Sequence, residues 1–146
     1  MGQKHRHFDI LEASNTSPHD PTTLHYALGM VIEMKVFPYK NVEPKAADEG
    51  ASKLKVRWLI TKEIGAPNFA MRLFEMEPNG HSPLHSHDWE HEVFILEGGG
   101  AVKGEGGEKK FKPGDVVFIP PNEKHQFKNT GKKLVKFLCL VPYHEE

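Results

Sequence analysis

The chain is poor in sulfur ligands: one cysteine, Cys139, stands among 146 residues. A lone cysteine excludes a disulfide framework and any CxxC zinc or redox motif. Charge of one sign is not in excess either, with 19 Lys+Arg against 20 Asp+Glu and a net charge of -1. That balance excludes the basic footprint of a nucleic-acid binder. No apolar run reaches 18 residues and no charged-then-apolar leader is present, so neither a membrane partner nor export is expected and a cytoplasmic location is. There is no P-loop and no GxGxxG; the GGGAVKGEGG stretch lies between short strands rather than between strand and helix. No Ser-His-Asp arrangement is apparent, and no catalytic residue can be singled out. What the chain has in quantity is histidine, ten in all. A metal here would be held by imidazole rather than thiolate.

The length fits one domain. Residues 1–35 read as an N-terminal arm, polar, mixed in charge and broken by Pro18 and Pro21. Its last part, from Leu24 to Val36, is apolar enough to pack but has no clear period. Residues 36–146 read as the folded domain. Lys53–Trp58 alternates polar and apolar residues, the period of a half-buried strand. Further strands are predicted over Phe69–Met76, Glu92–Leu96, Val116–Ile119, His125–Lys128 and Leu134–Val141. Gly98-Gly99-Gly100, Gly104–Gly107 and Pro113-Gly114 punctuate short strands between them. No segment beyond residue 37 has a 3.6-residue period. The fold class is all-β, a double-sheet sandwich or barrel of jelly-roll type.

The histidines divide by position. His5, His7, His19 and His25 lie in the arm and His144 in the C-terminal tail, where a solvated surface role is expected. The run His81-Ser82-Pro83-Leu84-His85-Ser86-His87-Asp88-Trp89-Glu90-His91-Glu92 is different. Residues two apart on a strand share a face, so His85 and His87 can reach one ion. His91 returns after a short bend and His125 opens a later strand. Such a cluster on a β-scaffold suits a divalent transition metal.

Residues 78–98, PNGHSPLHSHDWEHEVFILEG, resemble the first cupin motif: Gly, then HxH, three or four residues, Glu, six residues and Gly. Residues 114–129, GDVVFIPPNEKHQFKN, resemble the second, with Gly114, Pro120, His125 and Asn129 on the family's spacing. The resemblance covers about residues 36–142 and implies a double-stranded β-helix, the cupin barrel. Three departures stand out. Gly80 is one residue closer to His85 than the pattern has it. Asn122 replaces a Gly, a mild change because Asn tolerates the left-handed conformation. The usual Glu position falls on His91 when counted from Gly98 and on Glu92 when the longer spacing is used. Strand parity puts those two on opposite faces. The resemblance thus implies the ligand set His85, His87, His91 and His125, of the four-histidine manganese type, with Glu92 as the alternative ligand.

Four neutral imidazoles leave a divalent ion its full charge and, on a six-coordinate ion, two neighbouring open positions. Manganese is the first expectation, then Fe, Ni, Zn or Cu. Closed structural zinc is disfavoured because such sites are usually cysteine-rich. Phe74, Met76, Phe118, Phe127, Phe137 and Cys139 are the candidate pocket residues, against a bland alternative of plain core packing. Phe94 and Leu96 share the parity of Glu92 and should pack on the other face. Cys139 reads as a buried apolar thiol rather than a nucleophile. Trp89 and Glu90, in the bend, frame the mouth or support the ligands, and His81 is a further neighbour of the mouth. The leading functional expectation is an oxidoreductase of dioxygenase type acting on a small organic substrate. The alternatives are a Lewis-acid isomerase, epimerase or decarboxylase of a sugar or keto acid, and a non-catalytic small-ligand sensor. A homodimer is expected, because cupins of this size resemble dimers and edge strands need cover.

Overall fold

The computed structural model describes residues 32–144. The expected arm, including His5, His7, His19 and His25, lies outside the described residues except for its last four positions. Within the described residues the elements are nine strands and two single-turn 3₁₀ segments, at Tyr39–Asn41 and Lys62–Ile64. The strands are β1 (Lys45–Ala46), β2 (Ser52–Ile60), β3 (Phe69–His81), β4 (His91–Glu97), β5 (Gly100–Gly104), β6 (Gly107–Phe111), β7 (Val116–Ile119), β8 (Gln126–Lys128) and β9 (Val135–Pro142). All pairings are antiparallel. The order is β6-β5-β8-β3-β9-β4-β7, with β2 on the other edge of β3 and β1 on β2. This curled antiparallel sheet is the jelly-roll architecture expected from the spacing of the strands, and the one the cupin resemblance implied.

The long β3 ties the two ends of the sheet together. Its first eight residues pair with β9, from Phe69↔Pro142 to Met76↔Val135, whereas His81 at its end pairs with Lys128 of β8. Between these the chain turns through Asn79, at φ 66°. Gly80 is required there because a Cβ would lie 2.8 Å from the Glu77 carbonyl oxygen and 2.9 Å from that of Lys53. The early Gly of the first motif therefore has a packing reason.

Strand alternation decides which side chains fill the interior. Along β9, Val135, Phe137, Cys139 and Val141 are buried and their neighbours are not. Along β4 the inward set is His91, Val93 and Ile95, leaving Glu92, Phe94 and Leu96 outside, as parity requires. Met76, Ile95 and Val135 are wholly buried at the centre of the core. Asn129 locks the end of β8 to this core. Its buried amide donates to the carbonyl oxygens of Met76 (2.9 Å) and Lys133 (2.8 Å), and its Oδ1 accepts from the Gly131 N–H at 3.0 Å.

Candidate metal centre

The HxH segment lies in the bend between β3 and β4 and is pinned to the loop before β8. His85 and His125 exchange backbone hydrogen bonds, His85 N–H to His125 O at 3.2 Å and His125 N–H to His85 O at 2.9 Å. The Asn122 N–H donates to the His87 carbonyl at 2.6 Å. Asn122 has φ 69°, the left-handed conformation that the substitution of Asn for Gly was expected to tolerate. Residues 40 apart in sequence are thereby fixed against each other by main-chain bonds rather than by side chains alone.

The rings of His85, His87 and His125 form a near-equilateral triangle. Their centroids are 5.1 Å (85 to 87), 5.0 Å (85 to 125) and 5.0 Å (87 to 125) apart, and the planes cross steeply. One nitrogen from each lies within 4.8 Å of the others, the spread that a single ion could bridge. His91 stands beside this triad on the core side, its Nε2 2.8 Å from His87 Nε2. It is buried at 7% exposure, inward as parity demands. Glu92, the alternative ligand, is outside. It pairs with Phe118 of β7 and Leu140 of β9 on the outer face, where burial and the neighbouring Glu90 raise its pKa.

Orientation of the rings follows from backbone acceptors. His87 Nδ1 faces the Trp89 carbonyl and His125 Nδ1 the Glu123 carbonyl, both at 2.8 Å. A carbonyl can only accept, so each Nδ1 carries the proton and each Nε2 presents its lone pair to the cluster. This is the outer-shell pattern that metal-binding histidines use. Protonation is opposed as well. Burial lowers the pKa of His85 and His87, and desolvation followed by the nearby Arg72 charge drives that of His91 down to about 2. Neutral imidazoles with free lone pairs are what a divalent ion requires. The residues present fit such an ion.

A cavity of about 90 Å³ opens beside the triangle. Phe74, Phe127, Phe137 and Cys139 line it. Phe137 is stacked between Phe74 (5.1 Å) and Phe127 (5.0 Å), giving one continuous apolar wall. Two pocket candidates are corrected. Met76 is wholly buried below the cavity and does not line it. Phe118 is 61% exposed and sits on the outer face with Phe94 and Val116. The cause is register: β7 sets Ile119, not Phe118, opposite inward-facing His91.

The structure adds residues that sequence reasoning missed. Arg72 lines the cavity, opposite Trp58 on β2 and Cys139 on β9. Its signal was available, since it shares the inward parity of Phe74 and Met76. Trp89 stacks on His87 at 4.3 Å and, on its other side, on His144 at 3.8 Å. His144 is thus exposed but not idle. His81 is outside the cavity lining and packs its Nδ1 against the Ser82 carbonyl and the Gln126 amide.

The Cupin_2 family, described as a cupin domain, matches residues 72–141. The chain belongs to the cupin family. Among curated proteins it is 38% identical over 71 residues to the 1-methylthio-D-xylulose 5-phosphate methylsulfurylase of Rhodospirillum rubrum. That match covers 49% of this chain and 46% of the relative, so the chain spans less than half of that protein. It is 32% identical over 96 residues to the oxalate-binding protein of Thermotoga maritima, covering 63% of this chain and 78% of the relative. Among solved structures, the polyketide cyclase of Streptomyces resistomycificus superimposes with a TM-score of 0.71 at 34% identity, covering 75% of this chain and 80% of the cyclase.

Proposed function

We propose that the protein is a metal-dependent cupin. In this reading the Nε2 atoms of His85, His87, His125 and His91 hold one divalent transition metal, manganese before Fe, Ni, Zn or Cu, and the ligand is a small organic molecule that presents oxygens. The observation that carries it is the pair of 2.8 Å backbone hydrogen bonds that commit the His87 and His125 Nε2 lone pairs to a common centre. When bound, the ion supplies Lewis acidity to the oxygens of the ligand. The chain's own residues do the rest. The Phe74–Phe137–Phe127 stack offers an apolar wall and excludes water, and the bend carrying Trp89 shapes the mouth.

Lewis-acid chemistry on an oxygen-donor substrate is the activity the comparisons support best. One relative is an oxalate-binding protein and a structural neighbour is a polyketide cyclase, and both names describe molecules rich in carbonyl or carboxylate oxygen. Oxidation by dioxygen is the second reading, favoured by the aromatic wall, since dioxygen partitions into apolar space. Turnover of 2-oxo acids and 1,3-dicarbonyl compounds by Mn- and Zn-loaded protein under nitrogen separates the two. Similar rates with both metals support the Lewis-acid reading. Activity that needs dioxygen and vanishes with zinc supports the oxidative one, and tight ligand binding without turnover in either gas would mark a sensor.

A further inference from the structure

We propose that Arg72 is an anion receptor inside this cavity, and that the ligand of the site is a small carboxylate. The proposal rests on the reading of the histidine cluster as the ligand site and names the class of molecule that enters it. Arg72 projects inward from β3 and is held in plane by aromatic rings, its guanidinium carbon 5.2 Å from the Trp58 centroid and 5.0 Å from that of Phe74. Nη2 donates to Cys139 Sγ at 3.0 Å and lies 3.3 Å from His91 Nδ1. Nε is buried and has no partner among the described residues.

Among the described residues no carboxylate pairs with this cation. The ion pairs among the described residues join Arg57 to Glu75, Lys112 to Asp115, Lys128 to Glu108 and Lys136 to Glu97, and leave Arg72 out. Asp48, the acid lining the cavity among the described residues, is exposed. A buried donor without an acceptor costs roughly 1–3 kcal/mol, more when it belongs to a charged group. A purely structural role for Arg72 would leave that cost unrecovered: a thiol is a weak substitute for an oxyanion, and a His91 ring whose Nε2 lone pair faces the metal carries its proton on Nδ1 and cannot accept from Arg72. A carboxylate suits the guanidinium because its two oxygens match two parallel N–H donors.

Size and position limit the anion further. The histidine cluster and Arg72 are separated by one imidazole: Arg72 Nη2 is 3.3 Å from His91 Nδ1, and His91 Nε2 is 2.8 Å from His87 Nε2. A planar acid of few heavy atoms can therefore set one end against Arg72 and another oxygen toward the histidines. An apolar cavity of about 150 Å³ takes benzene, so about 90 Å³ suits a molecule no larger than that ring, or the acidic end of a longer one.

The test compares pyruvate with its uncharged amide, pyruvamide, by calorimetry on the metal-loaded protein. Wild type should bind pyruvate roughly tenfold or more tightly than pyruvamide. Arg72→Gln should bring the two affinities within about twofold while leaving metal content unchanged, and Arg72→Lys should restore part of the preference. Arg72→Met keeps the stem against Trp58 and Phe74 and serves if the Gln variant does not fold. A preference for pyruvate that survives in folded, metal-loaded Arg72→Gln or Arg72→Met overturns the proposal. Should the protein take up no metal, the reading of the cluster fails separately, and thermal unfolding of the metal-free protein decides the present proposal. Stabilisation by pyruvate in wild type but not in Arg72→Met supports it, and stabilisation in neither overturns it.

Discussion

Acid should destabilise the metal-free protein through His91 in particular. The ring is buried, and its pKa is lowered from 6.5 to about 2, first by desolvation, then by the Arg72 charge and by its neighbours His87, His125 and His85. The groups facing it are Arg72 from β3, Cys139 from β9, and the three histidines of the bend and the β8 loop. In the unfolded chain His91 takes up a proton as pH falls through about 6.5, and in the folded chain it does not. Its contribution to stability is therefore complete above that pH and is lost steadily as pH drops toward 2. Between pH 7.0 and 4.5 the loss amounts to about 2.6 kcal/mol, from 1.36 kcal/mol per pH unit over slightly less than two effective units. His85 and His87 are shifted in the same direction, and carboxylates titrate in this range too. The comparison with His91→Gln removes those shared contributions. Urea unfolding of chelator-treated protein at the two pH values measures it: wild type should lose about 2.6 kcal/mol more than the variant. An equal loss in both proteins would refute the reasoning.

Other consequences follow from packing. Asn129→Ala should cost about 2–4 kcal/mol in denaturant unfolding, because the buried Met76 carbonyl and two further groups lose their partner. Gly100→Ala should be strongly damaging, since the position is buried and its Cβ would meet the Lys128 carbonyl oxygen and the Phe111 ring (2.7 Å); loss of soluble protein or a marked fall in melting temperature checks it. We propose a homodimer that covers the apolar outer strip of Phe94, Val116 and Phe118, which are 45%, 75% and 61% exposed. Light scattering should give the mass of two chains for wild type and of one for Phe118→Glu.

Much of the architecture was legible from period and punctuation. Val116–Ile119 is the strand predicted, and β2, β3, β4, β8 and β9 differ from expectation only at their ends or, for β3, by its extension through the bend to His81. The extension was hidden because Pro78-Asn79-Gly80 reads as a turn, whereas here it bends a strand that continues. The inward placement of His91 and the outward placement of Glu92 followed from parity within one strand. What could not be read was register between strands. Phe118 was a candidate for the interior wall, and only the pairing Glu92↔Phe118 shows that it shares the outer face. Arg72 was missed for a related reason. Cys139 has no basic neighbour close in sequence, but the pairing Arg72↔Cys139 sets a guanidinium against its sulfur. Burial raises that thiol's pKa even so, in keeping with an unreactive role. His144 shows the same limit: a tail residue by sequence, it stacks on Trp89 at 3.8 Å through a contact no local pattern encodes.

Elemental analysis with electron paramagnetic resonance, on protein purified without a metal-affinity step, tests most directly whether the histidine cluster holds a metal. One transition-metal ion per chain is predicted for wild type and for Glu92→Gln, with loss of that ion in His85→Ala, His87→Ala and His125→Ala, and weakened retention in His91→Ala. A folded wild-type chain that neither carries nor takes up a divalent metal, or His125→Ala protein that retains its full metal content, would contradict it.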